Sequence, residues 1–476
     1  MTIVLYSLLL IAIGYACRRS TRDNEGYFLA GRGLSAFEVG MTLAATAFGG
    51  SAILIASRMI YTLGLAGLWF SGSVALGFGV LGLGFARRIR ASGAVSLADY
   101  YRIHYGAAAQ RIASALIVLV EITFFGLTVK SFALMTTPLF GESRWLVHSE
   151  AGFEALITGV FILYTLMGGH KAIAVTAIVQ FGIIFFGLLC VLLPLGLFHA
   201  DFAALPAGFL RLPTAPGAGW TFILNMGVLM GLSGVVGGDV FSKILSARDE
   251  RAARGGALTA AAAFGSLAVA IALLALCARA LLPALAQPEL AVLLLGRRLL
   301  PPALFEIVSL AFLSALLSTG DSVLMTGATV LALDVLKLRR TGVARIRLLT
   351  LGLALAGLGL ALYTRQLLEI MKFGYTLLTA SLIVPAIFTL ALAGRRKPRT
   401  GFVLAAIGAG LGAASLWKAA PLLAAGFKSP LDPATIGVGC SAAVMAAGLF
   451  FPPHPAPMRP RRVTATSHAT LDRRSR

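Results

Sequence analysis

The segment Ser314–Leu324, read as SALLSTGDSVL, interrupts an apolar run that extends from about Ala303 to Leu333. Ser318, Thr319 and Asp321 bring two hydroxyls and a carboxylate into a stretch that is otherwise hydrocarbon. With about 3.6 residues per helical turn, Ala315, Ser318, Thr319 and Ser322 share one face. Neutral hydroxyl and carbonyl oxygens suit the weak, reversible holding of a small hard cation such as sodium. The same hydroxyls can instead bond the carbonyls one turn back in their own helix, and the pattern alone leaves both readings open.

Other chemistry-bearing residues are sparse. Glu121 and Lys130 fall within one apolar stretch, nine residues apart and so on opposite helical faces. Lys130 reads as snorkelling to a membrane surface, and Glu121 as meeting a polar group on a neighbouring helix. Asp239 and Lys243, one turn apart in GGDVFSK, read as a structural pair at the inner end of a span. The cysteines Cys17, Cys190, Cys277 and Cys440 lie in or beside apolar segments and read as small hydrophobes. Neither they nor the six histidines show metal-ligand spacing.

The elements that position these groups follow from composition. Of 476 residues, 58% are hydrophobic and only 12% charged, against about a quarter charged in a soluble domain. This is the composition of an integral membrane protein. The net charge of +21 does not indicate a nucleic-acid binder, because the basic residues sit in short clusters between apolar runs. The first segment has two arginines after its apolar core and none before it, the reverse of a cleavable signal.

A helix needs about 20 apolar residues to span a bilayer. That rule predicts an all-α fold of thirteen spans, near 2–17, 36–58, 65–86, 112–137, 151–168, 172–198, 219–238, 256–282, 303–333, 345–363, 373–393, 401–417 and 434–451. With the N-terminus outside and the C-terminus cytoplasmic, 29 of the 40 Lys and Arg fall on the inner side, as the positive-inside rule requires. Residues 452–476 are Pro-rich and basic and are expected to be a disordered cytoplasmic tail.

Glycines interrupt two of the spans. GMTLAATAFGGSAIL puts Gly49 and Gly50 within the second, and MGLSGVVGGDVFSK puts Gly231, Gly234, Gly237 and Gly238 in the seventh. Taken singly, such glycines allow close helix packing. Their five-span separation, however, divides the core into two five-helix units of opposite orientation. Interrupted spans at matching places in inverted repeats point to a transporter's binding site. The predicted layout is 1–35 N-terminal helix and loop, 36–198 first repeat, 199–393 second repeat, 394–451 two extra spans, and the tail. The substrate is then expected beside the breaks, lined by Gly50, Ser51, Ser71, Met230, Ser233 and Gly234. These offer too few hydroxyl partners for a sugar. A small carboxylate or amino acid fits better, since helix N-termini can hold a carboxylate.

The stretches GYFLAGRGLSAFEVGMTLAATAFGGSAIL, MIYTLGLAGLWF, GGHKAIAVTAIVQFGI, FSKILSARDERAARGG and FLSALLSTGDSVLMTGATVLALDVLK resemble, in order and spacing, the sodium:solute symporter family. The resemblance covers about residues 1–400 and implies a LeuT-type five-plus-five inverted-repeat core with one extra N-terminal and two extra C-terminal helices. It implies a sodium site formed by the carbonyls of Ala45, Phe48 and Ala315 and the hydroxyls of Ser318 and Thr319. One departure stands out: where the family commonly reads TD in the sixth span, this chain has Thr176 followed by Ala177. Asp321, about one turn inward of Ser318, is the candidate to supply an inward ion path instead.

These readings converge on a multi-pass transporter of the inner cell membrane, not an enzyme, that imports a small organic solute with Na+. Its expected partners are the ion, the solute and the bilayer, with no other cofactor, no nucleic acid and no obligate protein partner. Ala177 keeps a proton-coupled or facilitative carrier as the alternative, and a membrane sensor unit is the reading from another class.

Overall fold

The computed structural model describes residues 32–140, 173–338, 343–364, 366–392, 398–423 and 429–451, with isolated positions 152, 155 and 159. The expected first span, most of the fifth and the basic tail lie outside the described residues. Within them the chain is helical, and nine helices are long and apolar enough to cross a membrane. Two shorter apolar helices, Ala36–Ala47 and Pro433–Gly448, add to these.

Helix α1 (Ala36–Ala47) begins with a reciprocal cap. The Glu38 N–H donates to Ser35 Oγ over 3.3 Å, and the Ser35 N–H donates to Glu38 Oε2 over 2.7 Å. The helix stops at Phe48 and restarts as α2 (Gly50–Leu63), with Gly49 extended between them. The predicted second span is therefore two helices meeting at a break. A Cβ on Gly49 would overlap the Thr319 hydroxyl, so the close approach of another helix requires glycine there.

A short 3₁₀ turn, Gly64–Leu68, leads into α3 (Trp69–Val80), and the helical path continues to Ala91. The connection beyond it, read from sequence as a loop, carries α4 (Leu97–Tyr105). Its cap residue Ser96 accepts from the Asp99 N–H and donates to Asp334 Oδ2 over 2.5 Å, which ties the connection to the bundle. Then follow α5 (Ala107–Phe140), α6 (Ile173–His199) and α7 (Trp220–Leu245). Helix α7 is broken where Val236 and Gly237 adopt extended conformations, and it resumes as Gly238–Leu245.

The four glycines of α7 divide their work. Gly231 and Gly234 pack against α3, where a Cβ on Gly77 would overlap the Gly231 carbonyl. Gly237 and Gly238 make the break. The expected end of this span at 238 is thus corrected: the helix restarts and runs on to Leu245, burying Phe241, Lys243 and Ile244 instead of leaving 239–245 in a polar connection.

The second half continues with α8 (Glu250–Leu281), a short α9 (Ala291–Leu299), α10 (Pro302–Val335), α11 (Val343–Tyr363) and α12 (Leu367–Leu392). Helices α13 (Thr400–Leu423) and α14 (Pro433–Gly448) pack on one another beside α12. Helix α8 lies along α1 and α3, and α5 runs against α10, α11 and α12. The two broken helices are laced at one end: the Leu34 N–H donates to the Ser246 carbonyl over 3.1 Å, and the Arg248 N–H to the Leu34 carbonyl over 2.8 Å. Arg90, at the end of the α3 path, donates to the Ala247 carbonyl over 2.5 Å.

Candidate functional site

The break in α1 sets up the first half of the site. An α-helix leaves its last carbonyls without intrahelical donors. Here the ladder ends with the Phe48 N–H donating to the Ala44 carbonyl over 2.9 Å, so the following carbonyls look elsewhere. Helix α10 answers them. Ser318 Oγ stands 2.9 Å from the Ala45 carbonyl and 3.0 Å from the Ala315 carbonyl. Thr319 Oγ1 stands 3.0 Å from the Thr46 carbonyl and 3.2 Å from that of Ala315.

Each hydroxyl thus bonds a carbonyl of its own helix, as one sequence reading expected, and a carbonyl of α1 as well. The result is a compact knot of neutral oxygens from two helices. Ala45, Ala315 and Ser318 are buried to 1% exposure or less. Hydroxyls can turn their protons outward and present lone pairs, so this donor set fits a small hard cation. Of the five expected positions, Ala45, Ala315, Ser318 and Thr319 come together. Phe48 closes the helix beside them, and the carbonyl facing Thr319 is that of Thr46, which sequence reasoning did not name.

The second half is a cavity between the two breaks. It is lined by five of the six expected residues: Ser51, Ser71, Met230, Ser233 and Gly234. Gly50 is not on its wall. A Cβ there would strike the Leu316 side chain, so this glycine serves the packing of α2 on α10. Thr46, Gly49 and Thr319 line the same cavity, which makes the oxygen knot and the cavity contiguous.

Sequence reasoning missed the cavity's aromatic and charged lining. Phe78 and Phe264 meet edge to face at 5.9 Å, Phe124 and Tyr375 pack at 4.8 Å, and all four line the cavity. Asp239 is the one charged side chain on the wall among the described residues. It sits in the first turn of the restarted part of α7. Its place just after a glycine cluster was the available signal, but the break that turns it toward the cavity is a tertiary feature.

Beneath Asp239 lies a buried polar group of atoms. Lys243 Nζ, on a side chain with 0% exposure, donates to Ser322 Oγ over 2.6 Å and lies 3.6 Å from Asp239 Oδ2. Glu121 of α5 is 3% exposed, within electrostatic reach of Asp239 and Lys243, and its Oε2 has no hydrogen-bond partner among the described residues. Its Oε1 borders Gly238, at the restart of α7. The expected polar neighbour of Glu121 is therefore the broken helix. The pair expected at an inner mouth is a sealed ion pair whose acid faces the cavity. Asp321 is buried in α10, and Thr176 and Ala177 are buried in α6.

The profile of the sodium:solute symporter family matches residues 27–393. The chain is 30% identical over 194 residues to the osmoregulated proline transporter OpuE of Bacillus subtilis, 39% of this chain and 38% of that one. It is 28% identical over 186 residues to a sodium/proline symporter of Staphylococcus aureus, 37% of this chain and 35% of the relative. These matches thus span well under half the length of either relative.

Among solved structures, a substrate-bound, outward-open Na+-coupled sialic acid symporter superposes with a TM-score of 0.78 at 15% identity, covering 95% of this chain and 97% of that one. Mhp1, a nucleobase-cation-symport-1 family transporter in a closed conformation with bromovinylhydantoin bound, gives 0.58 at 15% identity, covering 89% and 93%. Both likenesses are of fold, and that fold is LeuT-like.

Proposed function

Because the chain belongs to the sodium:solute symporter family, we propose that it is a sodium-coupled secondary transporter that imports a small amino acid or carboxylate by alternating access. One observation carries the reading: the hydroxyls of Ser318 and Thr319 lie against the Ala45 and Thr46 carbonyls, at the edge of the cavity between the two breaks. Sodium held there by Ala45, Phe48, Ala315, Ser318 and Thr319 joins α1 to α10. Because Thr319 also lines the cavity, ion binding shapes the wall that the solute meets.

The solute sits among Ser51, Ser71, Met230 and Ser233, with Gly49 and Gly50 at the start of α2. No side chain caps that helix, so its first N–H groups are available to a carboxylate. The proline-carrying relatives support an amino acid. Asp321 serves the ion's inward path. The two repeats, 36–198 and 199–393, rock against each other around the fixed site, while α13–α14 pack beside α12. The protein lies in the inner cell membrane with its N-terminus outside and its C-terminus cytoplasmic, which gathers Arg90 and Arg248 on the inner side.

The test is thermal unfolding of the purified protein across sodium concentration, with potassium or choline at matched ionic strength. An ion present at 100 times its dissociation constant adds about 2.7 kcal/mol. A sodium-specific rise that Ser318→Ala and Thr319→Ala both lose supports the site. Equal stability in all three salts overturns sodium coupling.

A further inference from the structure

The cavity has a charge character that the transport reading does not specify. Asp239 is the only charged group on its wall among the described residues, and none of its lining residues is basic. The aromatic rings of Phe78, Phe124, Phe264 and Tyr375 supply much of the rest. One carboxylate among aromatic faces is the chemistry that recognises an ammonium group, since a cation is drawn to both. A lone carboxylate anion would meet the Asp239 charge with no opposite charge on the wall to answer it.

Behind the wall lie the charged neighbours of Asp239. Glu121 and Asp239 bring two carboxylates, and Lys243 brings one cation. Lys243 is wholly buried and points its ammonium to Ser322 and toward Asp239, so it offers nothing to the cavity. Tyr375 on α12, neutral in its ordinary form, is also within electrostatic reach of Asp239 and Glu121. Of this group only Asp239 reaches the cavity, and no cation on the wall pairs with its carboxylate. Asp239 keeps 27% of its side chain exposed, and the cavity is what it faces.

Resting on the transport reading of this cavity, we infer that the substrate carries an ammonium group that pairs with the Asp239 carboxylate exposed to the cavity. The substrate class is then a small amine or a zwitterionic amino acid, and a carboxylate without an amine is excluded. The bound nitrogen is also linked to the ion site. Asp239 leads through Lys243 to Ser322, and Ser322 follows Thr319 by three residues on α10.

Two matched triplets test this by thermal unfolding of the purified protein in sodium. The first is L-proline, pyrrolidine and cyclopentanecarboxylate, and the second is L-alanine, ethylammonium and propionate. In each, the parent zwitterion is compared with its amine-only and carboxylate-only analogues. The expected result is stabilisation by at least one amine-only compound and its zwitterionic parent, with none from the carboxylate-only partner. Asp239→Asn should weaken that ligand at least tenfold while keeping the sodium-dependent rise.

Binding of a carboxylate-only compound as tight as its parent's overturns the inference, as does a panel in which no ammonium compound binds the native protein. Should Asp239→Asn not fold, the comparison on the native protein still decides. A sodium-dependent rise that survives while the ammonium compounds fail leaves the transport reading standing and removes only this inference. Absence of the sodium response itself overturns sodium coupling and leaves the ammonium comparison to be read on its own.

Discussion

Ser318 and Ala45, 273 residues apart in the chain, meet where the hydroxyl of one lies 2.9 Å from the carbonyl of the other. This junction joins a helix break in the first half to an unbroken helix in the second. Each hydroxyl satisfies an orphan carbonyl; in the proposed sodium-bound state both would turn toward the ion. Ser318→Ala should therefore lower stability by about 1–3 kcal/mol in sodium-free buffer, by leaving a buried carbonyl unpaired. In sodium the gap to the native protein should widen, because the variant also loses the ion's contribution. Unfolding curves in the two buffers measure both effects.

Gly49 is the closest point of that junction. In Gly49→Ala the new methyl would overlap the Thr319 hydroxyl, and either the break or α10 must shift. Overpacking of this kind costs about 1–3 kcal/mol. Sodium-driven uptake into proteoliposomes should fall to background. Gly79→Ala, where nothing lies within 4 Å of the added atom, should transport normally and serves as the control.

Lys243 holds two carboxylates in check. Lys243→Met removes the buried cation and leaves Asp239 and Glu121 facing one another, a change expected to destabilise by about 3–5 kcal/mol. Pairing it with Glu121→Gln should restore part of the loss, since one of the two charges is then gone. Thermal melts of the two single variants and the double variant give the coupling between them.

The crossing of α3 and α7 depends on the absence of a side chain. Gly77→Ala should push the helices apart and disturb the cavity wall that α3 and α7 share, because its Cβ would overlap the Gly231 carbonyl. Folding yield and ligand affinity should both fall. Gly84→Ala on the same helical path meets nothing within 4 Å and should be silent.

The proposed orientation makes a chemical prediction. A cysteine at the exposed position Arg251, in the first turn of α8, should react with a membrane-impermeant maleimide only from the cytoplasmic side. One at the exposed Arg211, between α6 and α7, should react only from outside. The opposite pattern would invert the proposed topology. The background for both should lack the native cysteines, because Cys190 is itself exposed.

Much of this was readable along the chain. Apolar runs of bilayer length located the spans, because a helix's solvent preference is a local sum over its own residues. The hydroxyl pair of α10, the glycines between α1 and α2 and those of α7 were visible for the same reason: polar atoms and missing side chains stand out against hydrocarbon. Even the shared face of Ala315, Ser318 and Thr319 followed from helical periodicity alone.

What the sequence did not reveal were relations between helices distant in the chain. Nothing in the first half indicates that Thr46 would face Thr319, or that Gly50 would pack on Leu316 and not border the cavity. Asp239 and Lys243 read as a pair at a mouth because their spacing is a property of one helix. Only the restart at Gly238 buries the lysine and turns the acid toward the cavity, and only the packing of α5 brings Glu121 to the same place. The sequence by itself determined a many-span membrane protein with neutral oxygens on one helix and two glycine breaks. The tertiary structure decided which carbonyls those oxygens meet and which charge faces the cavity. The reason is physical: periodicity orients a side chain about its own axis, but where helices cross and break determines what it touches.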